Sequence, residues 1–131
     1  MASIFSNIIA GVIPCYKIAE SDQYFAFLDI RPLAKGHTLV IPKKEIDDLF
    51  DVDDETLSGM LPFAKKVAHA LKKCIDCKRV GMMVIGTEVP HAHIHLIPFQ
   101  TEAQISISRP PISLSKEEME AIAEKVRAAF G

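Results

Sequence analysis

The run His91-Ala92-His93-Ile94-His95-Leu96-Ile97-Pro98 constrains the fold of this chain more than any other segment. Three of the five histidines alternate there with apolar residues. Successive side chains of an extended strand point to opposite faces, so His91, His93 and His95 share one face. Neighbouring imidazoles would stand roughly 6.5–7 Å apart, two residues of rise. Ala92, Ile94 and Leu96 face the other way, into a core. The pattern predicts a buried anchor that carries a row of nucleophilic, proton-carrying or metal-binding rings.

Two chemistries suit such a row. Imidazole is a common metal ligand, and His-x-His on a strand suits zinc. Three rings along one straight strand converge poorly on a tetrahedral ion, however. The other chemistry is phosphoryl transfer, with one imidazole as nucleophile and its neighbours as donors to phosphate oxygens.

Length and composition narrow the field. A chain of 131 residues is expected to form one domain, 1–131, with a core that needs neither disulfides nor metal. The formal net charge of −2 does not point to a nucleic-acid binder or an acidic-membrane binder. No apolar run approaches the length of a bilayer span. The N-terminal stretch has no basic residue before Lys17 and is interrupted by Gly11 and Pro14, so it does not read as a signal peptide. Three cysteines without an export signal point to reduced thiols and a cytoplasmic location. Cys74-x-x-Cys77 lacks a second pair and a βαβ context, and reads as structural.

The remaining segments outline the architecture. Ile4, Phe5, Ile8 and Ile9 have helical spacing and predict a short first helix. Residues 15–19 and 23–29 read as a hairpin turning at Glu20-Ser21-Asp22. A third strand spans 37–41, closed by Pro42. Asp53 is the expected N-cap of a long helix, with Glu55 in its first turn and Val52 and Leu57 spaced as a hydrophobic staple. Its apolar stripe is Leu57, Met60, Leu61, Ala64, Val67, Ala68 and Leu71, and Pro62 within it predicts a kink. Strands four and five are expected at 80–85 and 92–98. A polar, extended connector follows, ending at Arg109-Pro110-Pro111. Ser115-x-x-Glu118 is a capping box that opens a final helix running through Ala128. The sum is an α+β domain on an antiparallel five-stranded sheet, with its core at about 4–98 and a C-terminal extension and helix at 99–131.

The segment from His91 to Ile97 resembles the signature of the histidine-triad (HIT) superfamily of nucleotide-binding hydrolases and transferases, His-φ-His-φ-His-φ-φ with φ apolar. A second block, Phe25 to Lys44, agrees with it in order and position, and the resemblance covers about Ile4 to Pro98. It implies a HIT-like fold in a bacterial Hint-like branch. It also implies that His93 is the nucleophile attacking the α-phosphorus of a nucleotide through a nucleotidyl-histidine intermediate. An unperturbed imidazole is a competent nucleophile near pH 7. By the same resemblance His95 and His37 hydrogen-bond the phosphate oxygens, and His91 fixes the tautomer or backbone around the nucleophile. Asp29 accepts from the ribose hydroxyls, although by its residue type alone it is a turn-former. Phe27 would stack on the base, with Phe5, Ile8 and Ile30 at other base-pocket positions.

The departures from the family pattern carry information too. Many bacterial relatives hold a structural zinc with a Cys-x-x-Cys, a histidine after the Pro-Lys-Lys turn, and the first triad histidine. Here those positions are Ser3, Ser6, Glu45 and His91, and a serine hydroxyl is a far poorer ligand than a thiolate, so neither metal nor cofactor is expected. The loop Gly86-Thr87-Glu88-Val89-Pro90 is short, and Glu88 replaces a phosphate-contacting serine or threonine. That carboxylate would repel phosphate if ionised, or serve as acid or base if its pKa is raised. The resemblance implies a purine nucleoside phosphoramidate hydrolase. A dinucleoside polyphosphate hydrolase and a nucleotide-binding protein with negligible turnover are the alternatives. It also implies a homodimer, for which an edge strand at 80–85 offers unpaired backbone groups.

Overall fold

Alternation along five strands sorts their side chains onto two faces, and each face is covered differently. The computed structural model describes residues 2–130; Met1 and Gly131, the ends of the expected domain, lie outside the described residues. Helix α1 (Ile4–Ile9) precedes β1 (Lys17–Glu20), β2 (Tyr24–Leu28) and β3 (Thr38–Pro42). Helix α2 (Asp54–Cys74) connects β3 to β4 (Arg79–Met83), β5 (Ile94–Phe99) follows, and α3 (Lys116–Phe130) ends the described chain. The sheet order is β1-β2-β3-β5-β4 and every pairing is antiparallel. The histidine-bearing strand therefore lies inside the sheet, between β3 and β4.

One face packs against α2 and α3. Ala26, Leu28, Val40, Ile94 and Leu96 meet Met60, Phe63, Ala64, Val67 and Leu71 of α2 and Met119, Ala123 and Val126 of α3. Helix α3 thus enters the same core as residues before 98. The opposite face carries a smaller cluster of Phe25, Phe27, Leu39 and Ile41, covered by Phe5 of α1.

The helix ends follow their local signals. The Asp53 side chain accepts from the Thr56 amide, 3.0 Å, while Asp54 and Glu55 open α2 and Lys72 and Lys73 close it. Ser115 and Glu118 exchange side-chain and backbone hydrogen bonds of 3.1 Å ahead of α3. Helix α2 runs through Pro62. Leu61, expected in the apolar stripe, is 58% exposed, and Phe63 fills the core instead. Gly59 leaves room on α2 for the Tyr24 hydroxyl, which donates to the Thr56 carbonyl at 2.6 Å.

Several bounds differ from the pattern-based expectation. β4 ends at Met83 rather than 85, and β5 begins at Ile94 rather than 92. The His91 amide bonds Val89 O and the Ala92 amide bonds Ile46 O, so both leave the sheet ladder. The connector after β5 is not wholly extended: a 3-10 turn at Glu102–Ile105 forms, with Gln104 Oε1 accepting from the Gln100 and Thr101 amides. Cys74 closes α2, its thiol donating to Lys125 O at 3.4 Å. Among the described residues no helix is long and apolar enough to cross a membrane.

Candidate active site

The histidines converge from β5, the approach to β5 and the approach to β3. His95 lies within β5, paired with Leu39 of β3 and Met83 of β4. His93 stands one residue ahead of the strand, and their ring centroids are 5.0 Å apart, closer than an ideal strand would hold them. His37 stands one residue ahead of β3, delivered by a turn at Gly36 with φ 85° that favours glycine. His37 and His95 ring centroids are 5.2 Å apart. His91 is fully buried and turns toward the end of β3 and the start of α1.

Hydrogen-bond partners fix which ring nitrogens carry protons. His93 Nδ1 lies 2.8 Å from the His91 carbonyl, which can only accept. Nδ1 therefore holds the hydrogen, and Nε2 presents its lone pair. Gly86, at φ 136°, sits over that nitrogen: a Cβ there would lie 3.2 Å from Nε2. A side chain there would crowd the lone pair.

A second chain of bonds runs through the other two rings. The Leu33 amide donates to His37 Nδ1 at 3.0 Å, so His37 Nε2 carries hydrogen. That N–H donates to His95 Nδ1 at 2.9 Å, and His95 Nε2–H points to the Ile85 carbonyl at 3.3 Å. Burial pushes the His37 pKa down to about 4, with nearby Asp29 opposing the shift and His95 adding to it. Burial also lowers His95 and His91 below the usual histidine value. These three rings are therefore neutral at pH 7, as hydrogen-bond donors with one free or accepting nitrogen each.

Asp29 closes this group. Its Oδ1 accepts from the Arg31 amide at 2.9 Å, the turn-forming role its residue type predicts, while Oδ2 lies 3.6 Å from His37 Nε2. Asp29, His37 and His95 offer three atoms within 4.8 Å of one another, a spacing that could hold a metal ion. The Leu33 amide argues for a different use, because it leaves His37 Nε2 facing its neighbours as a donor rather than as a ligand.

The expected base-pocket residues separate by exposure. Phe27 is 4% exposed, packed against Phe5 at 5.4 Å and Phe25 at 5.9 Å between centroids. Phe5 also meets His93 edge-on, 5.2 Å between centroids at 89°. Ile8 is half-buried against the same cluster, whereas Ile30 is 75% exposed on the loop after β2. Glu88 is exposed on the loop that carries Gly86. Ser3, Ser6, Glu45 and His91 do come together, hydrogen-bonded to one another.

Reading residue types misses the Leu33 amide, the Ile85 and His91 carbonyls and the space at Gly86. Backbone groups leave no trace in residue identity. Gly86, in the loop between β4 and β5, was the one available signal.

The site and fold have close counterparts. A model of the HIT domain matches residues 10–102. An adenosine 5'-monophosphoramidase of Schizosaccharomyces pombe is 36% identical over 128 residues, covering 96% of each chain. Another of Saccharomyces cerevisiae is 42% identical over 104 residues, covering 77% of this chain and 65% of its own. The crystal structure of a Hit-like protein from Bartonella henselae superposes with TM-score 0.83 at 36% identity, over 97% of this chain and 95% of its own. A family match over most of the sequence, joined to three clustered histidines on an antiparallel sheet, makes this chain a member of the HIT domain family.

Proposed function

We propose that this chain, acting as one domain over 1–131, is a nucleotide hydrolase or transferase that breaks a bond at the α-phosphate. The first-choice substrate is a purine nucleoside phosphoramidate, released as the nucleoside monophosphate. The observation that carries this reading is the His93 ring: Nδ1–H is tied to the His91 carbonyl, which leaves the lone pair on Nε2, beside the bare Gly86. The two yeast relatives named as adenosine 5'-monophosphoramidases support the same choice.

In this reading His93 Nε2 attacks phosphorus, and the bond from phosphorus to the leaving nitrogen breaks as that nitrogen takes a proton from solvent and departs as an amine. The His91 carbonyl stabilises the positive charge that develops on the ring. His37 and His95 hold phosphate oxygens, the His37 N–H turned from His95 Nδ1 and the His95 N–H from Ile85 O to the ligand. Asp29 Oδ2 accepts from the ribose. Water then attacks phosphorus, the bond to Nε2 breaks, and the water proton is released. Phe5, Ile8 and Phe27 form the apolar wall beside the base, with Ile30 at its rim, and Glu88 lies on the loop beside the leaving group.

Incubating wild type with an adenosine phosphoramidate should trap a nucleotidyl-protein and release adenosine monophosphate. His93→Ala should abolish the adduct and slow turnover by about 10³-fold or more. Adenosine monophosphate bound with no adduct and no turnover in wild type would instead make this a nucleotide-binding protein.

The β4 edge is proposed as a homodimer contact. β4 is an outer strand, and Met82, Val84 and Ile85 are large exposed apolar residues on and just beyond it. Light scattering at micromolar concentration should return twice the chain mass; a monomer there rejects the contact.

A further inference from the structure

Helix α1 has six residues, too few to persist on its own. It nevertheless supplies Phe5, which touches both Phe27 and His93. Something must hold the helix in place, and apolar contact is only part of it.

The rest is a polar cluster built from three distant stretches of chain. The Ser3 amide and the Ser6 hydroxyl, the latter at 2.7 Å, both donate to Glu45 Oε1. Ser3 Oγ accepts from the Ser6 amide at 3.0 Å, capping the helix. His91 Nε2–H donates to the Pro42 carbonyl at 2.7 Å, so Nδ1 accepts from the Ser3 hydroxyl at 2.9 Å. Ser3 is 5% exposed and His91 fully buried, so the Ser3–His91–Pro42 bonds are sheltered from water, while the Glu45 carboxylate ties α1 from the exposed edge.

Glu45 has no competing engagement among the described residues. Its neighbour Lys43 pairs with Glu20 and Lys44 with Asp53, leaving the Glu45 carboxylate to α1. The cluster reaches the nucleophile by two routes. One runs through α1 to Phe5 against the His93 ring. The other runs through His91, whose carbonyl holds His93 Nδ1–H.

We infer that Ser3, Ser6, Glu45 and His91 form a clasp in which Glu45 is a positioning residue for nucleotide binding, seating α1 and through it Phe5 beside His93. Glu45 touches no reacting atom. Its role rests on the assignment of the nucleotide site around His93 made above.

The test compares Glu45→Ala and Glu45→Gln in the full chain. Three quantities are read: affinity for adenosine monophosphate by calorimetry, kcat and KM on an adenosine phosphoramidate, and amide hydrogen exchange over residues 3–9. Losing bonds to a carboxylate should weaken affinity and raise KM by about tenfold in Glu45→Ala, with kcat within about twofold. Glu45→Gln keeps an acceptor oxygen and should recover most of the loss. Exchange over 3–9 should rise in Glu45→Ala, and on a Phe5→Leu background the alanine should cost little further affinity.

Unchanged affinity in Glu45→Ala, a kcat loss equal to the KM change, or full additivity with Phe5→Leu overturns the clasp while leaving the nucleotide reading intact. Wild type that binds no adenosine monophosphate, with exchange still responding to Glu45→Ala, overturns the nucleotide reading and the positioning role together.

Discussion

The two faces of the sheet are built from alternate residues of the same strands, yet they do opposite work. On the α2/α3 face, Ile94, Leu96, Ala26 and Leu28 interlock with two long helices in the larger apolar cluster. On the other, His93, His95, Phe25 and Phe27 meet only a six-residue helix and some loops. The first face is dense and mostly apolar, so it supplies most of the stability. The second is covered by less chain, and backbone groups there set the tautomers of its partly and fully buried rings.

The sharpest probe of that division is a pair of neighbours. His93→Ala should remove turnover by about 10³-fold or more and leave the denaturation midpoint nearly unchanged. Ile94→Ala, one residue on, should cost about 2–5 kcal/mol of stability in chemical denaturation, with kcat per folded molecule preserved. If the two mutants behave alike, the faces are not functionally separate.

A smaller effect is expected at Gly86. Gly86→Ala puts a methyl group 3.2 Å from His93 Nε2, the atom assigned above as the proposed nucleophile. Turnover should fall by about 10²-fold, in line with the cost of ångström-scale misplacement. Circular dichroism should show the fold retained.

The histidine face also predicts a pH response. His37 titrates at about 4 when folded against an ordinary 6.5, so between those values the unfolded chain takes up a proton that the folded chain refuses. Stability is therefore full above about pH 6.5 and declines as the pH falls toward 4. His91 and His95 shift in the same direction and reinforce the decline. Melting temperatures at pH 7 and pH 5 check this, and a His37→Gln variant should show a shallower slope. A melting temperature that rises on acidification would contradict the burial argument.

The smallest effect is reserved for the helix-packed face. Tyr24→Phe removes the buried bond to Thr56 O and should cost about 1 kcal/mol. It should also make Gly59→Ala tolerable, because the hydroxyl is what an added Cβ would strike. Thermal denaturation of the single and double variants reads both effects.

Much of this layout was legible in residue order. The Asp53 cap, the Ser115–Glu118 box, the hairpin and the apolar alternation of Ile94 and Leu96 all rest on short-range geometry, which composition and spacing encode directly. Strand ends were less legible. His91 and Ala92 look like the start of β5, but their amides bond to Val89 and Ile46, partners that spacing does not reveal. Leu61 fits the apolar period of α2 and still faces water, because Phe63 takes the space beneath the helix.

The pattern of alternating histidines fixed that a strand would carry rings on one side and a core on the other, since a two-residue period is a property of extended backbone. It could not say which nitrogen of each ring would hold a hydrogen. That was settled by the Leu33 amide, the His91 and Ile85 carbonyls and the bare Gly86, brought together only when distant segments packed. Proton placement follows from partners in space, and most of those partners are main-chain atoms that every residue shares.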